Sequence, residues 1–392
     1  MLNFDYENRT RIVFGKDTHK GVGSLIAPIA KKVLLHYGGG SIKRTGLYDT
    51  VIQSLRAADI EIVELGGVQP NPRVALVQQG VALCLRENVE LILAVGGGSV
   101  IDSAKGIGLG VKNQTHNLWE IYARDLPTNG SLPVATLLTI PAAGSESSPN
   151  SVLSNDLTQQ KYGCNRPSNR PVLSIIDPTL FYTLPKNQIA NGIADMMCHV
   201  FERYFSNTTD TGFSDALCEA TLRTILIYGP MVYRDPQNYD AWCQVSLAGT
   251  MAHNNVLGIG REQDWASHKM EHELSARYDI AHGAGLAVIT PGWMRYVQSQ
   301  NQQRFLDFAM RVMGVSPLSS IDETIEAGIR ALEAFFAQLH LPSRLSEFGV
   351  DQAGISIMAK RAVTNEDGGE RRVGYLLHLQ ASDIQSIFES VQ

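Results

Sequence analysis

The first half of the chain alternates short apolar runs with helical segments, and three of the apolar runs end in consecutive glycines. The strand-like runs are residues 31–37, 60–65, 90–95, 134–140 and 172–176. Three segments that lie between successive runs have apolar residues at helical spacing, namely residues 41–57, 73–86 and 99–108. Strands that alternate with helices predict a parallel sheet with right-handed crossovers. We therefore predict an α/β amino-terminal domain with a parallel, Rossmann-like sheet.

The second half of the chain has a different pattern. After Asp177-Pro178 and Leu184-Pro185, strand-like runs become few and long segments with a 3.6-residue period appear, such as residues 215–227 and 320–339. The chain has 392 residues, which exceeds the roughly 250–300 at which single cores stop growing. We predict two domains, an α/β dinucleotide-binding domain over residues 1–185 and an all-helical metal-binding and catalytic domain over residues 186–392.

Charge and apolar content exclude several classes of partner. Lys and Arg number 33 against 39 Asp and Glu, so the net charge is −6, and no basic run is present. This pattern argues against binding to nucleic acid or to an anionic membrane surface. No apolar stretch approaches the roughly 18–20 residues of a membrane span, and the amino terminus lacks the apolar core of a signal peptide. Five scattered cysteines without a CxxC motif fit a reduced protein, so we expect a cytoplasmic location.

Two glycine-rich turns are candidate nucleotide-binding elements. Gly96-Gly97-Gly98-Ser99 joins a buried strand to a helix, and free N–H groups at a helix start bind phosphate. A tight turn without a ligand is the alternative, and Asp102 could instead cap the helix with Ser99. Gly38-Gly39-Gly40-Ser41 follows an earlier strand of the same sheet, where an adenine ribose would lie. It carries Ser41, Lys43 and Arg44 and lacks the acid that NAD sites place on the ribose, which favours NADP(H) and leaves NAD(H) possible.

The helical half contains a cluster of metal-binding residue types. Five of the ten histidines lie between positions 199 and 282. Asp195 and His199 are four residues apart, as are His268 and His272, so each pair shares one face of a helix. His282 follows, and imidazole and carboxylate are the usual ligands of divalent transition metals. Buried core histidines are the alternative. A metal protease is excluded because position 276 is Ala, which breaks H-E-x-x-H.

These two features together predict hydride transfer. Ligand sites favour domain interfaces, so we expect a nicotinamide and a Lewis-acid metal to meet a carbonyl substrate between the domains. His272 lies one helical turn after His268, and a histidine there is suited to deliver the proton that the product alcohol needs. The alternative for His272 is a packing residue.

Several motifs resemble the iron-containing (group III) alcohol dehydrogenase family. Residues 96–105 (GGGSVIDSAK) resemble its cofactor motif, and residues 191–199 (NGIADMMCH) resemble its first metal segment. Residues 264–274 (DWASHKMEHEL) and 281–283 (AHG) resemble its second. Residues 37–43 (YGGGSIK) and 68–72 (VQPNP) are similar to the butanol dehydrogenase branch, which reduces a broad range of aldehydes. The resemblance covers essentially the whole chain.

The resemblance implies a fold, a metal site and a cofactor site. The fold is a dehydroquinate synthase-like architecture, with an α/β cofactor domain and a helical metal domain. The implied ligands of one divalent metal, Fe²⁺ or Zn²⁺, are Asp195, His199, His268 and His282. The implied cofactor contacts are Gly39, Ser41, Gly97, Gly98, Ser99, Asp102, Thr139, Asn150 and Lys161. The family's Thr-rich loop is altered here, since residues 141–146 (PAAGSE) keep its end but lack the threonines.

The expected function is metal-dependent hydride transfer between NAD(P)H and an aldehyde or primary alcohol, by a homodimer that pairs through residues 10–14. One alternative is an enzyme of the same architecture that resembles a glycerol dehydrogenase or a dehydroquinate synthase. Met196, Met197 and Trp265, beside the metal residues, indicate a less polar pocket than those enzymes need. Another alternative is a non-catalytic sensor that binds nucleotide and metal. All four metal positions are present, which favours the enzyme.

Overall fold

The computed structural model describes residues 1–365 and 368–392, and the chain forms two compact units. One unit comprises residues 7–183, and we call it the sheet unit. The other comprises residues 184–392 together with residues 1–6, and we call it the helical unit. The first six residues thus pack with the second half of the chain, where the amide of Leu2 donates a hydrogen bond to the carbonyl of Gly260 at 2.8 Å.

The sheet unit contains a six-stranded parallel sheet and a separate hairpin. The strands are β1 (Arg11–Phe14), β2 (Lys32–Gly38), β3 (Glu61–Val68), β4 (Leu91–Gly96), β5 (Val134–Leu138), β6 (Asn150–Asn155), β7 (Gln160–Asn165) and β8 (Leu173–Ile176). The parallel sheet has the order β1-β8-β5-β4-β2-β3, and β6 pairs with β7 in the antiparallel hairpin. All six residues of β4 are buried, as expected of a central strand covered on both faces.

The helices of the sheet unit follow the predicted alternation. They are α1 (Val22–Ile26), α2 (Ser41–Arg44), α3 (Leu47–Ala57), α4 (Val74–Glu87), α5 (Gly98–Lys112) and α6 (Leu118–Ala123). The prediction of a single helix over residues 41–57 is wrong. Gly46 adopts a left-handed conformation (φ 77°), which separates α2 from α3. Shorter 3₁₀ segments are Thr18–Gly21, Ser145–Ser147, Pro167–Asn169 and Pro178–Phe181.

The helical unit consists of nine α-helices in the part of the chain that the structure describes. They are α7 (Lys186–Tyr204), α8 (Gly212–Arg234), α9 (Tyr239–His253), α10 (Ala266–Tyr278), α11 (His282–Val297), α12 (Gln302–Asp307), α13 (Ile321–Gln338), α14 (Gln352–Ala362) and α15 (Ala381–Ser390). Short 3₁₀ or π segments are Val256–Gly258, Gln298–Gln300, Phe308–Val312 and Leu345–Phe348. The predicted fold class, a parallel α/β domain followed by a helical one, is confirmed. Among the described residues, none of the helices is long and apolar enough to cross a membrane.

Close backbone packing joins the two helices that carry candidate metal residues. A β-carbon on Gly283, the second residue of α11, would lie 2.0 Å from the carbonyl oxygen of Asn191 on α7. Real contacts of this kind do not occur, so the absence of a side chain at Gly283 allows α11 to begin against α7. Gly283 directly follows His282, so the close approach occurs next to the residue of α11 that faces Asp195 of α7.

Candidate metal centre and cofactor-binding turns

The second glycine turn follows β4 and begins α5. Its glycines are required by packing, since a β-carbon on Gly97 would lie 2.9 Å from Ile140 and one on Gly98 would lie 2.8 Å from Ala143. Gly97 is the N-cap residue of α5 and has no side chain to occupy the first N–H groups of the helix. The helix is 15 residues long, so this start offers N–H donors and a partial positive charge to an anion. Ser99 lies in this first turn.

Asp102, predicted as a cofactor contact, is engaged within the protein. Its Oδ1 accepts a hydrogen bond from the Ser145 hydroxyl at 2.5 Å, and its Oδ2 accepts one from the Val152 amide at 3.0 Å. Burial raises the pKa of this carboxyl group above its ordinary value, against the opposing effect of Lys105. The carboxylate therefore ties α5 to residues 145–152. The alternative of a helix cap with Ser99 is not formed, because α5 has no side-chain cap.

Lys105 makes a second connection between α5 and the same segment. Its ammonium group is fully buried and donates to the Ser145 hydroxyl at 2.7 Å and to the carbonyls of Ser148 and Asn150 at 2.9 and 2.7 Å. Burial lowers the pKa of Lys105 to about 8. Asn150, another predicted cofactor residue, is thereby held at the start of β6 beside α5.

Thr139 and Lys161 lie on different elements. Thr139 directly follows β5, and its amide donates to the carbonyl of Gly96 at 3.0 Å, so it lies beside the second glycine turn at the carboxyl edge of the sheet. Lys161 lies in β7 opposite Ser154 and is 5% exposed. In open α/β sheets, ligands bind outside the carboxyl ends of the strands, which is where Thr139 and both glycine turns lie.

The first glycine turn has open space around it. A β-carbon on Gly39 or Gly40 would meet no atom within 4 Å, and Gly40 adopts φ 104°. Ser41 begins the short helix α2 directly afterwards. Gly38 lies at the end of β2, next to β3 and β4 in the sheet, so this turn and the second one lie at the same edge.

A carboxylate that sequence reasoning missed lies close to the first glycine turn. Glu64 on β3 accepts hydrogen bonds from the hydroxyls of Tyr37 and Tyr48, at 3.2 and 2.8 Å. The ammonium of Lys43 lies 5.1 Å from the Tyr37 ring centre and 4.6 Å from that of Tyr48. The Tyr37 hydroxyl, by hydrogen bonding, and Glu64, by its charge, raise the pKa of Lys43. Lys43 is therefore part of a cluster with Tyr37, Tyr48 and Glu64. The sequence did not reveal this cluster, because residues 38–41 contain no acid and Glu64 lies on another strand.

Three of the four predicted metal residues come together in the helical unit. Asp195 lies on α7, His268 on α10, and His282 is the first residue of α11. Their candidate ligand atoms all lie within 4.8 Å of one another. Nε2 of His268 is 3.9 Å, and Nε2 of His282 is 3.8 Å, from Oδ1 of Asp195.

The fourth predicted residue, His199, adjoins this group through Asp195. Its Nδ1 lies 3.3 Å from Oδ1 of Asp195, as expected for an i,i+4 pair on α7. Its ring stacks on that of His253, with centres 4.0 Å apart, and lies 4.7 Å from that of His268. Burial, and then the neighbouring His253 and His268, lower the pKa of His199 well below its ordinary value. This environment favours the neutral imidazole that metal coordination requires.

A buried glutamate orients His268. Oε1 of Glu202 lies 2.7 Å from Nδ1 of His268 and also accepts hydrogen bonds from the His268 amide and the Ser267 hydroxyl. Although burial alone would raise the pKa of Glu202, the hydrogen bonds from His268 and Ser267 lower it. The carboxylate therefore accepts the Nδ1 proton of His268 and leaves the Nε2 lone pair for another partner.

His282 has the same support from a second glutamate. Its Nδ1 forms a short contact with Oε2 of Glu271, which is fully buried on α10. The Ser275 hydroxyl donates to the other oxygen of Glu271. Nε2 of His282 thus points its lone pair toward Asp195, as Nε2 of His268 does. Both glutamates were missed from the sequence, where each reads as one more charged residue on a helix.

The donor set fits a divalent transition metal. Within residues 1–365 and 368–392, Nδ1 of His199 and Nε2 of His268 make no hydrogen bond although both atoms are buried. Buried polar atoms rarely lack a partner, and these two lie beside the Asp195 carboxylate. Imidazole nitrogens and one carboxylate suit Fe²⁺ or Zn²⁺, and glutamates behind two of the histidines are the usual outer support of such sites.

His272 lies beside the group. It is on α10 one turn after His268, is 9% exposed, and its ring centre is 5.7 Å from that of His282.

Met196 and Met197, expected beside the pocket, are instead core residues that are at most 1% exposed, and Met196 packs against Gly249 of α9.

Comparisons with known proteins agree along the whole chain. The iron-containing alcohol dehydrogenase family model matches residues 9–178, and the family's C-terminal model matches residues 189–391. The chain is 41% identical to a probable NADH-dependent butanol dehydrogenase 1 of Bacillus subtilis, over 100% of both chains. It is 36% identical to the NADPH-dependent aldehyde reductase YqhD of Escherichia coli, over 95% of both.

A solved structure has the same fold. The crystal structure of NADH-dependent butanol dehydrogenase A from Thermotoga maritima superposes with a TM-score of 0.95 at 36% identity, and the match covers 100% of this chain and 99% of that one.

Proposed function

Because the chain belongs to the iron-containing alcohol dehydrogenase family, we propose that it is a broad-range aldehyde reductase of the butanol dehydrogenase branch. Family membership and the relatives confirm a metal-dependent enzyme that transfers a hydride between a nicotinamide cofactor and an alcohol or aldehyde. The observation that carries the proposal is the convergence of Asp195, His268 and His282, with a buried glutamate behind each histidine.

We propose Asp195, His199, His268 and His282 as the metal ligands, with Fe²⁺ or Zn²⁺ as the ion. When bound, the ion supplies Lewis-acid polarisation of the substrate oxygen. Glu202 and Glu271 hold the Nδ1 protons of His268 and His282, so each imidazole keeps one tautomer and presents Nε2. The two glutamates therefore act as positioning residues.

We propose that the dinucleotide lies along the carboxyl edge of the parallel sheet. The supporting features are the open start of α5 and the empty space at the first glycine turn. The proposed contacts are Gly39, Ser41, Gly97, Gly98, Ser99, Thr139, Asn150 and Lys161. Asp102 is a further proposed contact, and hydrogen bonds from Ser145 and Val152 to its two oxygens fix its position on α5.

NADP(H) is the proposed preferred cofactor, and NAD(H) is accepted. A 2′-phosphate at the first glycine turn has Ser41 and Lys43 close by, and charge-assisted hydrogen bonds are worth about 1.5–3 kcal/mol each. Glu64 opposes this preference, but its two tyrosine donors and the ammonium of Lys43 partly offset its charge. Named relatives include both NADH- and NADPH-dependent enzymes, so comparison of the two cofactors is part of the test.

His272 is the proposed proton donor, acting directly or through a water. A ring nitrogen of His272 delivers the proton to the oxygen of the product alcohol during aldehyde reduction and receives it back during alcohol oxidation. Its place one turn after His268 and beside His282 supports this role.

Steady-state reduction of butanal tests the proposed function. We expect turnover with NADPH, slower turnover with NADH, and loss of both after chelation, with recovery when Fe²⁺ or Zn²⁺ is restored. His268→Ala should bind less metal and lose activity under all conditions. Turnover of glycerol in preference to butanal would favour the glycerol dehydrogenase alternative, and cofactor binding without turnover of any aldehyde would favour the non-catalytic sensor.

The remaining proposals concern assembly and location. We propose a homodimer formed through β1, which lies at an edge of the sheet next to β8. Size-exclusion chromatography with light scattering tests the dimer. We also propose a cytoplasmic location, and the five free cysteines are consistent with a reducing compartment.

A further inference from the structure

Trp265 has a backbone conformation that bulky residues rarely adopt. Its φ is 64°, in the left-handed region, and it immediately precedes α10. The Asp264 carboxylate fixes this corner by accepting hydrogen bonds from the amides of Ala266, Tyr375 and Leu376. Strained conformations persist where the surroundings hold them, and they concentrate at functional sites. The conformation of Trp265 therefore calls for a functional explanation.

One side of the indole is supported by buried groups. The guanidinium of Arg203, which is 1% exposed, lies 4.8 Å from the ring centre. The indole Nε1 donates a hydrogen bond to the side-chain oxygen of Gln263 at 3.1 Å. The ring orientation is thus fixed, and its polar atom is already satisfied within the protein. What the side chain offers to a ligand is apolar surface.

The indole also lies beside the proposed metal ligands. Its ring centre is 5.1 Å from that of His268, 5.5 Å from that of His253 and 6.1 Å from that of His199. The side chain is only partly buried, unlike the imidazoles that it adjoins. An aldehyde whose oxygen lies among the ligand atoms has its carbon chain close to these imidazoles, where the indole supplies an apolar contact.

We propose that Trp265 is a specificity-determining residue that contacts the carbon chain of the substrate and favours unbranched apolar aldehydes over short or hydroxylated ones. The inference rests on the proposed function, because it assumes that an aldehyde is the substrate. Burial of each CH₂ group against the indole should raise kcat/KM by about fourfold. The wild-type enzyme should therefore prefer butanal to ethanal by about fifteenfold.

Replacement by glycine removes the side chain without backbone strain, because glycine readily adopts positive φ. We expect Trp265→Gly to reduce the preference for butanal over ethanal to about threefold or less, and to reduce the preference for butanal over glycolaldehyde as well. Trp265→Phe should retain most of the preference. Asp279→Gly, at the left-handed position after α10 (φ 48°), is the matched control and should keep the wild-type preference.

The metal content of each variant is measured in parallel. It distinguishes a change in substrate preference from a loss of the metal site. Trp265→Gly is expected to retain the wild-type metal content. An unchanged chain-length preference in Trp265→Gly, or loss of its metal, would overturn the assignment, as would a wild-type enzyme that shows no preference. Failure of the proposed function gives a different result, since the wild-type enzyme would then reduce none of these aldehydes with either cofactor.

Discussion

Gly283 and Asn191 meet so closely that a single added β-carbon on Gly283 would lie 2.0 Å from the backbone carbonyl oxygen of Asn191. We expect Gly283→Ala to push α11 away from α7 and to separate His282 from Asp195. Overpacking of this kind destabilises by about 1–3 kcal/mol or more. The variant should have a lower melting temperature and bind metal weakly, as measured by calorimetry and metal analysis.

The matched control for that variant is Gly212→Ala. Gly212 begins α8, and a β-carbon there would meet no atom within 4 Å. This change should leave stability within about 0.5 kcal/mol of wild type and metal content unchanged. Equal metal content in Gly283→Ala and wild type would contradict the link between this close approach and the metal site.

Glu202→Gln tests the support behind His268. Gln keeps the shape of Glu202 but removes the negative charge that accepts the His268 Nδ1 proton at 2.7 Å. Loss of such a partner reduces metal affinity by about 10–100-fold. Competition with a chelator measures that affinity. Glu333→Gln on α13 is the control, since it removes a carboxylate that pairs with Arg295 of α11, and it should bind metal as wild type does.

His272→Phe tests the proton donor. The variant should retain its metal and lose turnover by at least about tenfold, since a positioned acid contributes about 10²–10⁴-fold. Added imidazole should restore part of the rate in the smaller variant His272→Ala. Wild-type turnover in His272→Phe would make His272 a packing residue, and loss of metal would place it among the ligands.

Gly39→Asp tests the cofactor preference. The open space at Gly39 accommodates the new side chain, and its charge would repel a 2′-phosphate. We expect KM for NADPH to rise by about tenfold, which corresponds to about 1.4 kcal/mol, with little change for NADH. Gly39→Asn has the same shape without the charge and should show a smaller effect. Equal changes for both cofactors in Gly39→Asp would place the 2′-phosphate elsewhere.

The stability of the protein should fall between pH 6.5 and pH 4 because of His36. Its Nδ1 donates to the Leu65 carbonyl at 2.7 Å, and its Nε2 accepts from the Ser103 hydroxyl at 2.8 Å. Burial lowers the pKa of His36 from 6.5 to about 4. The unfolded chain therefore binds a proton before the folded one does, so this stabilisation is complete above about pH 6.5 and is lost as pH falls toward 4.

The loss should amount to about 3 kcal/mol, because each pKa unit corresponds to about 1.4 kcal/mol. Unfolding measured by calorimetry at pH 7, 6, 5 and 4.5 should show it. His36→Gln cannot titrate, and it should lose less stability than wild type over this range. Equal pH dependence in the two proteins would show that His36 does not control it.

The sequence predicted features that depend on local pattern. All five expected strands of the parallel sheet are present within a few residues, because buried parallel strands read as continuous apolar runs. Helical spacing pointed to Asp195 with His199 and to His268 with His272, because residues four apart share one face of a helix. His282 lies on a third helix, and the family resemblance added it to the predicted ligands. The hairpin of β6 and β7 was missed, since its sequences mix Ser, Asn, Gln and Lys with few apolar residues.

Features that depend on tertiary contacts could not be predicted. Glu202 and Glu271 contact an imidazole only because another helix brings His268 and His282 to them. Glu64 reaches the first glycine turn from a neighbouring strand. Asp102 lies within the predicted cofactor motif, yet its carboxylate bonds to residues 43 and 50 positions later in the chain. Such pairings are set by the packing of distant segments, which periodicity does not encode.

The strand order of the parallel sheet has a consequence for synthesis of the chain. β1 is the first strand to be made, yet its partner in the sheet is β8, which ends at Ile176. At about 5–20 residues per second, the ribosome needs roughly 8–30 s to add the intervening residues. Throughout that interval β1 has no neighbouring strand, so the nascent chain exposes one unpaired strand to chaperones and to other nascent chains. Slower translation before Leu173 would lengthen that exposure.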